Sequence, residues 1–411
     1  MNYLMIAAFL WINSYLGMTW SPACALLWLV PLMLRSYDQP WNFLQGFIFG
    51  IFVFSIHLSW MLATFVSMHA GLPGFAIWLI AVTWFAISCA VWLRLTRYSW
   101  FFSTLLFFLF LIRCSLLLCG VLEGYPLIHP LIGLAQVRQS LWVVAWISDV
   151  GALSLIIGFS YFIAQAVRTK KIYPALLALA CLLPFAVGIF LYEKKEMKMQ
   201  STVVLYPWWY GCKSPMFAGY RIVHDLQKVC ITATTIVMPE STFCFDLQEY
   251  QDFIKLWSDS VQGKTILLGG HRRICQSSDF CSNSVFVLRN GGIEQIYDKQ
   301  HGMPFVERVP AFFDCIGLGA VFLEKKSGSG VLYHDDVVEI SGHRYQIFIC
   351  SELFFESKPV KGYPVLLVWN ETWLYFDWVK DLALLFIDYF SVKHDVAVVH
   401  VSTQGRTNVK N

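Results

Sequence analysis

Charge is what this sequence lacks most: Asp, Glu, Lys and Arg make up 14% of its 411 residues, where soluble globular chains carry about a quarter. That scarcity excludes an ordinary water-soluble domain. The formal net charge is +3 and the basic residues are scattered, which excludes a nucleic-acid footprint as well. Among 12 cysteines and 10 histidines there is no CxxC pair and no His cluster at zinc spacing, so no metal is expected. No phosphate-binding or dinucleotide fingerprint occurs; "LLGGHRR" and "RNGGIEQ" read as turns, and no cofactor is expected. Internal repeats and low-complexity tracts are absent too. The first apolar segment has no basic leader and is followed by more apolar runs, so it reads as a span and not as a cleaved signal peptide.

What the chain has in excess is hydrophobic residues, 57% of the total, with 17% aromatic. They are spread unevenly. Long runs with few charges fill residues 1–192, and charged residues become frequent in 193–411, so two domains are expected: a polytopic α-helical membrane domain and a mixed α/β domain. Hydropathy predicts about seven spans: Tyr3 to Leu16, Ala23 to Leu34, Phe43 to Val66, Phe75 to Leu93, Trp100 to Cys119, Leu141 to Val167 and Tyr173 to Tyr192. The first two are short enough for a hairpin.

Loop charges orient these spans. Arg35, then Arg94 and Arg97, then Arg168, Lys170 and Lys171 fall on one side, and the alternate loops hold His69, Glu123 and Arg138. Lys and Arg collect on the cytoplasmic side, so everything after Tyr192 is expected outside, despite Lys194, Lys195 and Lys198. Arg113, inside the fifth run, either pairs with Glu123 or extends to the membrane surface.

The second domain reads as strands separated by helical and turn-rich segments: "TATTIVMPE", "KTILLGG", "SVFVLRN", "GIEQIYDK", "RYQIFIC", "VLLVWN" and "DVAVVHVS". Four of these runs end in a reactive or strongly polar side chain: Glu240, Lys299, Cys350 and Asn370. Ligands of α/β folds gather beyond the carboxyl ends of strands, so the four endings are expected to converge. Taken singly they are weak signals, because a Cys closing an apolar strand is commonly a small buried hydrophobe. Together they suffice for acyl transfer: a thiolate attacks a carbonyl, a carboxylate takes the thiol proton, and an ammonium stabilises the oxyanion. Six other cysteines lie in this domain, Cys212, Cys230, Cys244, Cys275, Cys281 and Cys315, and spacing does not define their pairing.

The order and surroundings of these residues resemble the nitrilase (carbon-nitrogen hydrolase) superfamily, with "MPESTF" around Glu240, "YDKQHGMPFVERVP" around Lys299 and "ICSELFF" around Cys350. The Lys motif followed by Pro-Phe, Glu307 and Pro resembles the branch that acylates lipoproteins, in which Glu307 assists the site, and Glu352 also matches. "GFIFGIFVFSIHLSW", "EGYPLIHPLIGLAQ" and "SDVGALSL" are similar to membrane segments of the apolipoprotein N-acyltransferase family.

The resemblance implies a nitrilase-type α-β-β-α sandwich and a Glu240-Lys299-Cys350 triad supported by Glu307, Glu352 and Asn370. It further implies a phospholipid acyl donor, a lipoprotein acceptor, and a bacterial inner membrane with the catalytic domain in the periplasm. The aromatic "YPWWYGC" at Tyr206 to Cys212 is expected either in the headgroup region or packed in the interior, and "KKSGSGVLYHDD" as a mobile flap.

Some positions depart from the family. Ser351 follows the nucleophile where the acyltransferases have an aromatic, and "VWNETWLYFDW" keeps Asn370 and Trp373 of the family pattern but not its glycine. The chain also stops at Asn411, soon after "VSTQGRT", where the family continues, so the sandwich is expected to be short at one edge. Such divergence also fits the TraB conjugal-transfer branch, with the same chemistry on another acceptor. A membrane scaffold whose catalysis has lapsed is the reading from a different class.

Overall fold

The computed structural model describes residues 2–16, 18–67, 71–113, 130–192, 203–205, 217, 220–224, 234–260, 263–273, 281–302, 307, 336–340, 342–354, 359–360, 362–372, 374–403 and 408–410. His69, Glu123, Lys194, Lys195, Lys198, the Tyr206 to Cys212 segment, Cys230, Cys275, Cys315, residues 325–335 of the expected flap and Trp373 lie outside them, as does the Arg113 side chain. The chain divides into two compact units. One comprises Met1–Leu118, Tyr125–Glu193 and Trp373–Asp395, the other Cys119–Gly124, Lys194–Thr372 and Val396–Asn411.

The first unit is helical: α1 (Asn2–Ser14), α2 (Ser21–Leu27), α3 (Leu29–Asp38), α4 (Phe43–His57), α5 (Ser59–Ser67), α6 (Gly71–Leu95), α7 (Trp100–Arg113), α8 (Trp142–Thr169), α9 (Ile172–Leu191) and, from far downstream, one of 18 residues at Asp377–His394. Asn42 starts α4 with a capping box: its side chain accepts the Gln45 N–H at 2.8 Å, and the Gln45 side chain accepts the Asn42 N–H at 3.2 Å. Two glycines one turn apart then let α4 lie against α6. A Cβ on Gly46 would come within 2.7 Å of the Ala90 Cα, and one on Gly50 within 2.5 Å of the Ala86 Cα. This is the small-residue contact by which helices pack in lipid, where burial of apolar surface supplies little drive.

Among the described residues, three helical stretches are long and apolar enough to cross a membrane, Gly71–Leu95, Arg138–Thr169 and Ile172–Leu191, or four if the pair Phe43–His57 and Ser59–Val66, bent by 46°, counts as one span. Of the seven spans expected, these three or four are supported. Hydropathy counts apolar residues but not interruptions of the helix. The first two apolar runs fold as α1, α2 and α3, of 13, 7 and 10 residues, each reaching at most about 20 Å at 1.5 Å per residue. Of the expected span Trp100 to Cys119, residues 114–119 lie outside the described residues. Apolar side chains such as Phe190 in α9, 86% exposed, point out of the fold, which suits a lipid surface.

The second unit holds two five-stranded sheets. In the first, β1 (Val203–Leu205), β2 (Thr235–Val237) and β3 (Thr265–Arg273) run parallel, and β4 (Cys281–Arg289) and β5 (Gly292–Asp298) add on antiparallel. The second follows the order β10-β9-β8-β7-β6. Its β7 (His343–Ile349), β8 (Val365–Trp369) and β9 (Val398–Ser402) are parallel, flanked by antiparallel β6 (Val337–Ile340) and β10 (Asn408–Lys410). All seven strand-like runs of the sequence are strands. Every residue of β8 and β9 is buried, as expected of parallel strands covered on both faces.

Helix α10 (Gln251–Ser260) packs Phe253, Ile254 and Trp257 into a core with Ile236, Leu268 and Phe286, and Trp257 stacks on Phe243 at 5.1 Å. "RNGGIEQ" is the expected turn, with Asn290 and Gly291 at φ 49° and 89°, a pairing suited to a tight hairpin. "LLGGHRR" is not a turn: β3 runs straight through both glycines. The helix at Asp377–His394, here α11, connects β8 to β9 along the chain.

Candidate active site

The four expected strand endings do meet. Glu240 sits in the turn after β2, Lys299 directly after β5, Cys350 directly after β7 and Asn370 directly after β8. Glu240, Lys299 and Cys350 are all at most 4% exposed. Lys299 donates from Nζ to Glu240 Oε1 at 2.9 Å and to Glu307 Oε1 at 2.7 Å, so one ammonium lies between two carboxylates. Cys350 lies near enough to the Glu240 carboxylate for that charge to act on its thiol. Asn370 contributes its backbone N–H, which donates to Glu240 Oε2 at 3.1 Å. Its side-chain oxygen accepts from Thr372 N at 3.0 Å, from the Thr372 hydroxyl at 2.6 Å and from the Thr403 hydroxyl at 3.4 Å.

One member was not singled out from the sequence. Asn283, near the start of β4, donates from Nδ2 to Glu240 Oε1 at 3.0 Å and to Glu307, while its main-chain oxygen accepts the Lys299 N–H at 2.8 Å. A lone Asn just ahead of the apolar run "SVFVLRN" was the only signal available.

Glu352 works from behind the nucleophile. Its carboxylate accepts the Ile349 N–H at 2.7 Å, the Tyr297 hydroxyl at 3.0 Å and the Gln300 N–H, which ties the 3-10 turn Cys350–Phe354 to the chain on both sides of Lys299. Ser351, at the position where the resembled family carries an aromatic, is fully buried and donates to the His301 carbonyl at 3.0 Å, a third tie of the same kind. Among the histidines of the second unit, His301 and His343 are exposed and His271 is half-buried. His400 is fully buried, 3.9 Å from Glu371, the residue after Asn370.

The electrostatics follow from burial. Desolvation pushes the Cys350 thiol well up, the Glu240 charge pushes it further, and Lys299 opposes them, so the resting sulfur carries its proton. Burial also raises the Glu240 carboxyl, against the nearby Lys299 charge, which makes it a better proton acceptor than a solvated carboxylate. Burial by itself would lower Lys299, but Glu240 and Glu307 outweigh it and hold the ammonium charged. The arrangement therefore gathers a protonated thiol, a buried carboxylate and a fixed cation.

Backbone shape puts the base there. β3 gives way to the Glu240 turn at Gly269, where a Cβ would stand 2.4 Å from the Pro239 carbonyl oxygen and 2.6 Å from the Glu240 Cα. Gly269→Ala is expected to cost about 1 to 3 kcal/mol by overpacking and about 100-fold in turnover by displacing the carboxylate, read from thermal melts alongside steady-state rates.

Glu352 supplies a pH signature. Burial raises its carboxyl to about 7 from the ordinary 4.5, against the bonds from Ile349 and Gln300, the Lys299 charge and the Tyr297 hydroxyl. A carboxyl with a raised folded pKa stabilises the fold in its protonated form, so that contribution is complete below about 4.5 and lost as pH rises through about 7. Its three accepted bonds favour the ionised form instead. Stability should therefore rise while turnover falls as pH drops through about 7. Glu352→Gln should flatten both trends, measured as pH-dependent Tm and the pH profile of kcat/KM.

No protein-family profile and no curated protein matches the chain. Among solved structures it overlaps a glutamine-dependent NAD+ synthetase from Acinetobacter baumannii in complex with ADP, at 15% identity and a TM-score of 0.38, over 51% of this chain and 41% of that one. It also overlaps a CN-hydrolase superfamily protein from Xanthomonas campestris with an arsenic adduct in its active site, at 13% identity and TM-score 0.35, over 50% and 81% of the two chains. A carbon-nitrogen hydrolase from Helicobacter pylori G27 matches at 11% and 0.34, over 51% and 78%. At TM-scores below 0.5 these likenesses establish neither fold nor activity for this chain.

Proposed function

We propose that the chain is a membrane-bound acyltransferase of the nitrilase type, working through a thioester on Cys350. The observation that carries this reading is that a single buried carboxylate, Glu240, accepts from the Lys299 ammonium at 2.9 Å and acts electrostatically on the buried Cys350 thiol. A solvated surface Glu, a surface Lys and a structural Cys would not share one cavity with their charges matched.

The steps follow from these contacts. Glu240 takes the thiol proton as Cys350 Sγ bonds to the ester carbonyl of a phospholipid, and the Lys299 ammonium stabilises the oxyanion. The oxyanion collapses, the carbon–oxygen ester bond breaks, and the lyso-phospholipid alkoxide leaves with the proton held by Glu240. An amine then attacks the thioester and gives its proton to Glu240. The carbon–sulfur bond breaks, and the thiolate recovers a proton. The α-amino group of a lipoprotein is the acceptor that the sequence resemblance suggests, and the conjugal-transfer branch supplies the alternative, the same chemistry on another amine. The matched site argues against a lapsed scaffold.

The helical unit supports a donor embedded in a bilayer. α6 and α8 end at Arg94 and at Arg168 to Lys171, and α9 starts beside that second cluster. With the Arg168 to Lys171 cluster inside, a chain leaving α9 emerges on the outer face, the periplasmic face in a bacterium; having Arg94 inside as well requires one more crossing between α6 and α8, as the seven-span reading has. The test is mass spectrometry of purified protein incubated with phospholipid. An acyl-sized mass increase on the Cys350 peptide, removed by hydroxylamine, is expected. A labelled lipid that leaves Cys350 unmodified defeats the proposal, and rescue of cells depleted of their lipoprotein acyltransferase separates the two acceptors.

A further inference from the structure

Strand β9 runs beside β8, with Ser402 opposite Trp369, and leads into the motif "VSTQGRT". Thr403, the residue after Ser402, makes three hydrogen bonds to the turn that leaves β8. Its main-chain N–H donates to the Trp369 carbonyl at 3.3 Å, its hydroxyl accepts the Glu371 N–H at 3.1 Å, and the same hydroxyl donates to Asn370 Oδ1 at 3.4 Å. The first bond continues the parallel ladder by one step. The other two come from a side chain standing where the ladder has ended.

That turn holds the candidate base. The Asn370 N–H, which donates to Glu240 Oε2 at 3.1 Å, belongs to the same planar peptide unit as the Trp369 carbonyl, so holding the carbonyl on one side aims the N–H on the other. Glu240 Oε1 is fixed separately, by Lys299 at 2.9 Å and Asn283 at 3.0 Å. Donors to one oxygen alone leave a carboxylate able to swing about that point, whereas a donor to the second oxygen fixes its plane. The aim of the Asn370 N–H therefore sets the orientation of the Glu240 carboxylate. A hydroxyl that merely capped the turn would stabilise the fold without affecting Glu240, and the two roles differ in the rates they predict.

We infer that Thr403 is a positioning residue for the base: its hydroxyl locks the turn at residues 369–372 so that the Asn370 N–H holds the Glu240 carboxylate in its working orientation. The inference rests on the acyl-transfer reading for the role of Glu240 as base. It adds a residue that touches neither the sulfur nor the substrate.

Thr403→Val keeps the side-chain shape and the main-chain N–H but removes the hydroxyl, and Thr403→Ser restores the hydroxyl. In full-length protein in detergent with phospholipid as donor, Thr403→Val is expected to lower kcat at least about tenfold with KM within about twofold, and Thr403→Ser to recover most of that loss. A second readout needs no turnover. Glu240, Lys299 and Glu307 carry charges that act on the Cys350 thiol, so a displaced Glu240 should move the pH midpoint of Cys350 alkylation by iodoacetamide, followed by mass spectrometry of the Cys350 peptide. A shift of at least about half a pH unit is expected in Thr403→Val, reversed in Thr403→Ser and missing when Thr403→Val is added to Glu240→Gln. Thr403→Ala carries the same expectation should Thr403→Val fail to fold. An unchanged midpoint in the variants lacking the hydroxyl, with or without a lower melting temperature, overturns the positioning role, as does a serine variant no better than valine. A midpoint shifted by valine and restored by serine, in protein that forms no acyl thioester, supports the positioning role and defeats the acyl-transfer reading instead.

Discussion

Cys350→Ala is expected to lower turnover by at least about 10⁴-fold and to abolish acyl labelling, with a fold that melts within a few degrees of the unmodified protein. The reason lies in how the residue is held. Cys350 has φ 49°, a left-handed conformation that costs a side chain with a Cβ about 1 kcal/mol, and Glu352 and Ser351 on the following turn hold it there. Those ties do not involve the sulfur, so they survive its removal. The loss of one buried atom leaves a small void worth about 1 kcal/mol. Cys350→Ser serves as the control: it keeps a donor for Glu240 but replaces the thiol with a far less acidic hydroxyl, and it should be almost as inactive. Substantial labelling of the Ala variant at another residue would remove Cys350 from the mechanism.

The legible parts of this protein are those in which sequence pattern and burial coincide. β8 and β9 are unbroken apolar runs because both of their faces are covered, and their last residues mark where a parallel sheet presents side chains. Glu240, Lys299 and Cys350 were therefore readable as strand endings, whereas Glu307 came only from the resemblance of the segment after Lys299 to a known family. Asn370 was readable too, but only its main chain reaches the site, since the side chain is spent on Thr372 and Thr403.

Asn283 escaped because it lies at the start of a strand and not at its end, and no local pattern announces a residue that bridges two carboxylates. Gly269 was misread for a related reason. A glycine pair suggests a turn, whereas here one glycine admits the backbone of Glu240 across a strand. The helix breaks at Leu58 and Leu29 were not legible, since apolarity continues through both.

Lys299→Met should damage both function and fold. The ammonium is within 2.9 Å of Glu240 and 2.7 Å of Glu307, and without it the buried Glu240 carboxylate and the partly exposed Glu307 carboxylate face each other across Asn283. Removing one partner of a buried pair costs about 3 to 5 kcal/mol, so the melting temperature is expected to fall by roughly 10 °C. Turnover should fall at least about 10³-fold as the oxyanion loses its cation. The stability loss carries a sign that packing alone would not produce. Carboxylates that bind protons more tightly when folded destabilise the fold as pH rises, so the deficit should be small near pH 5 and widen towards pH 8. Adding Glu307→Gln removes one of the opposed charges and should restore much of the lost stability at pH 8 while leaving turnover low. The two quantities separate because the fold needs the charges in this cavity balanced, whereas the reaction needs a positive charge beside the sulfur.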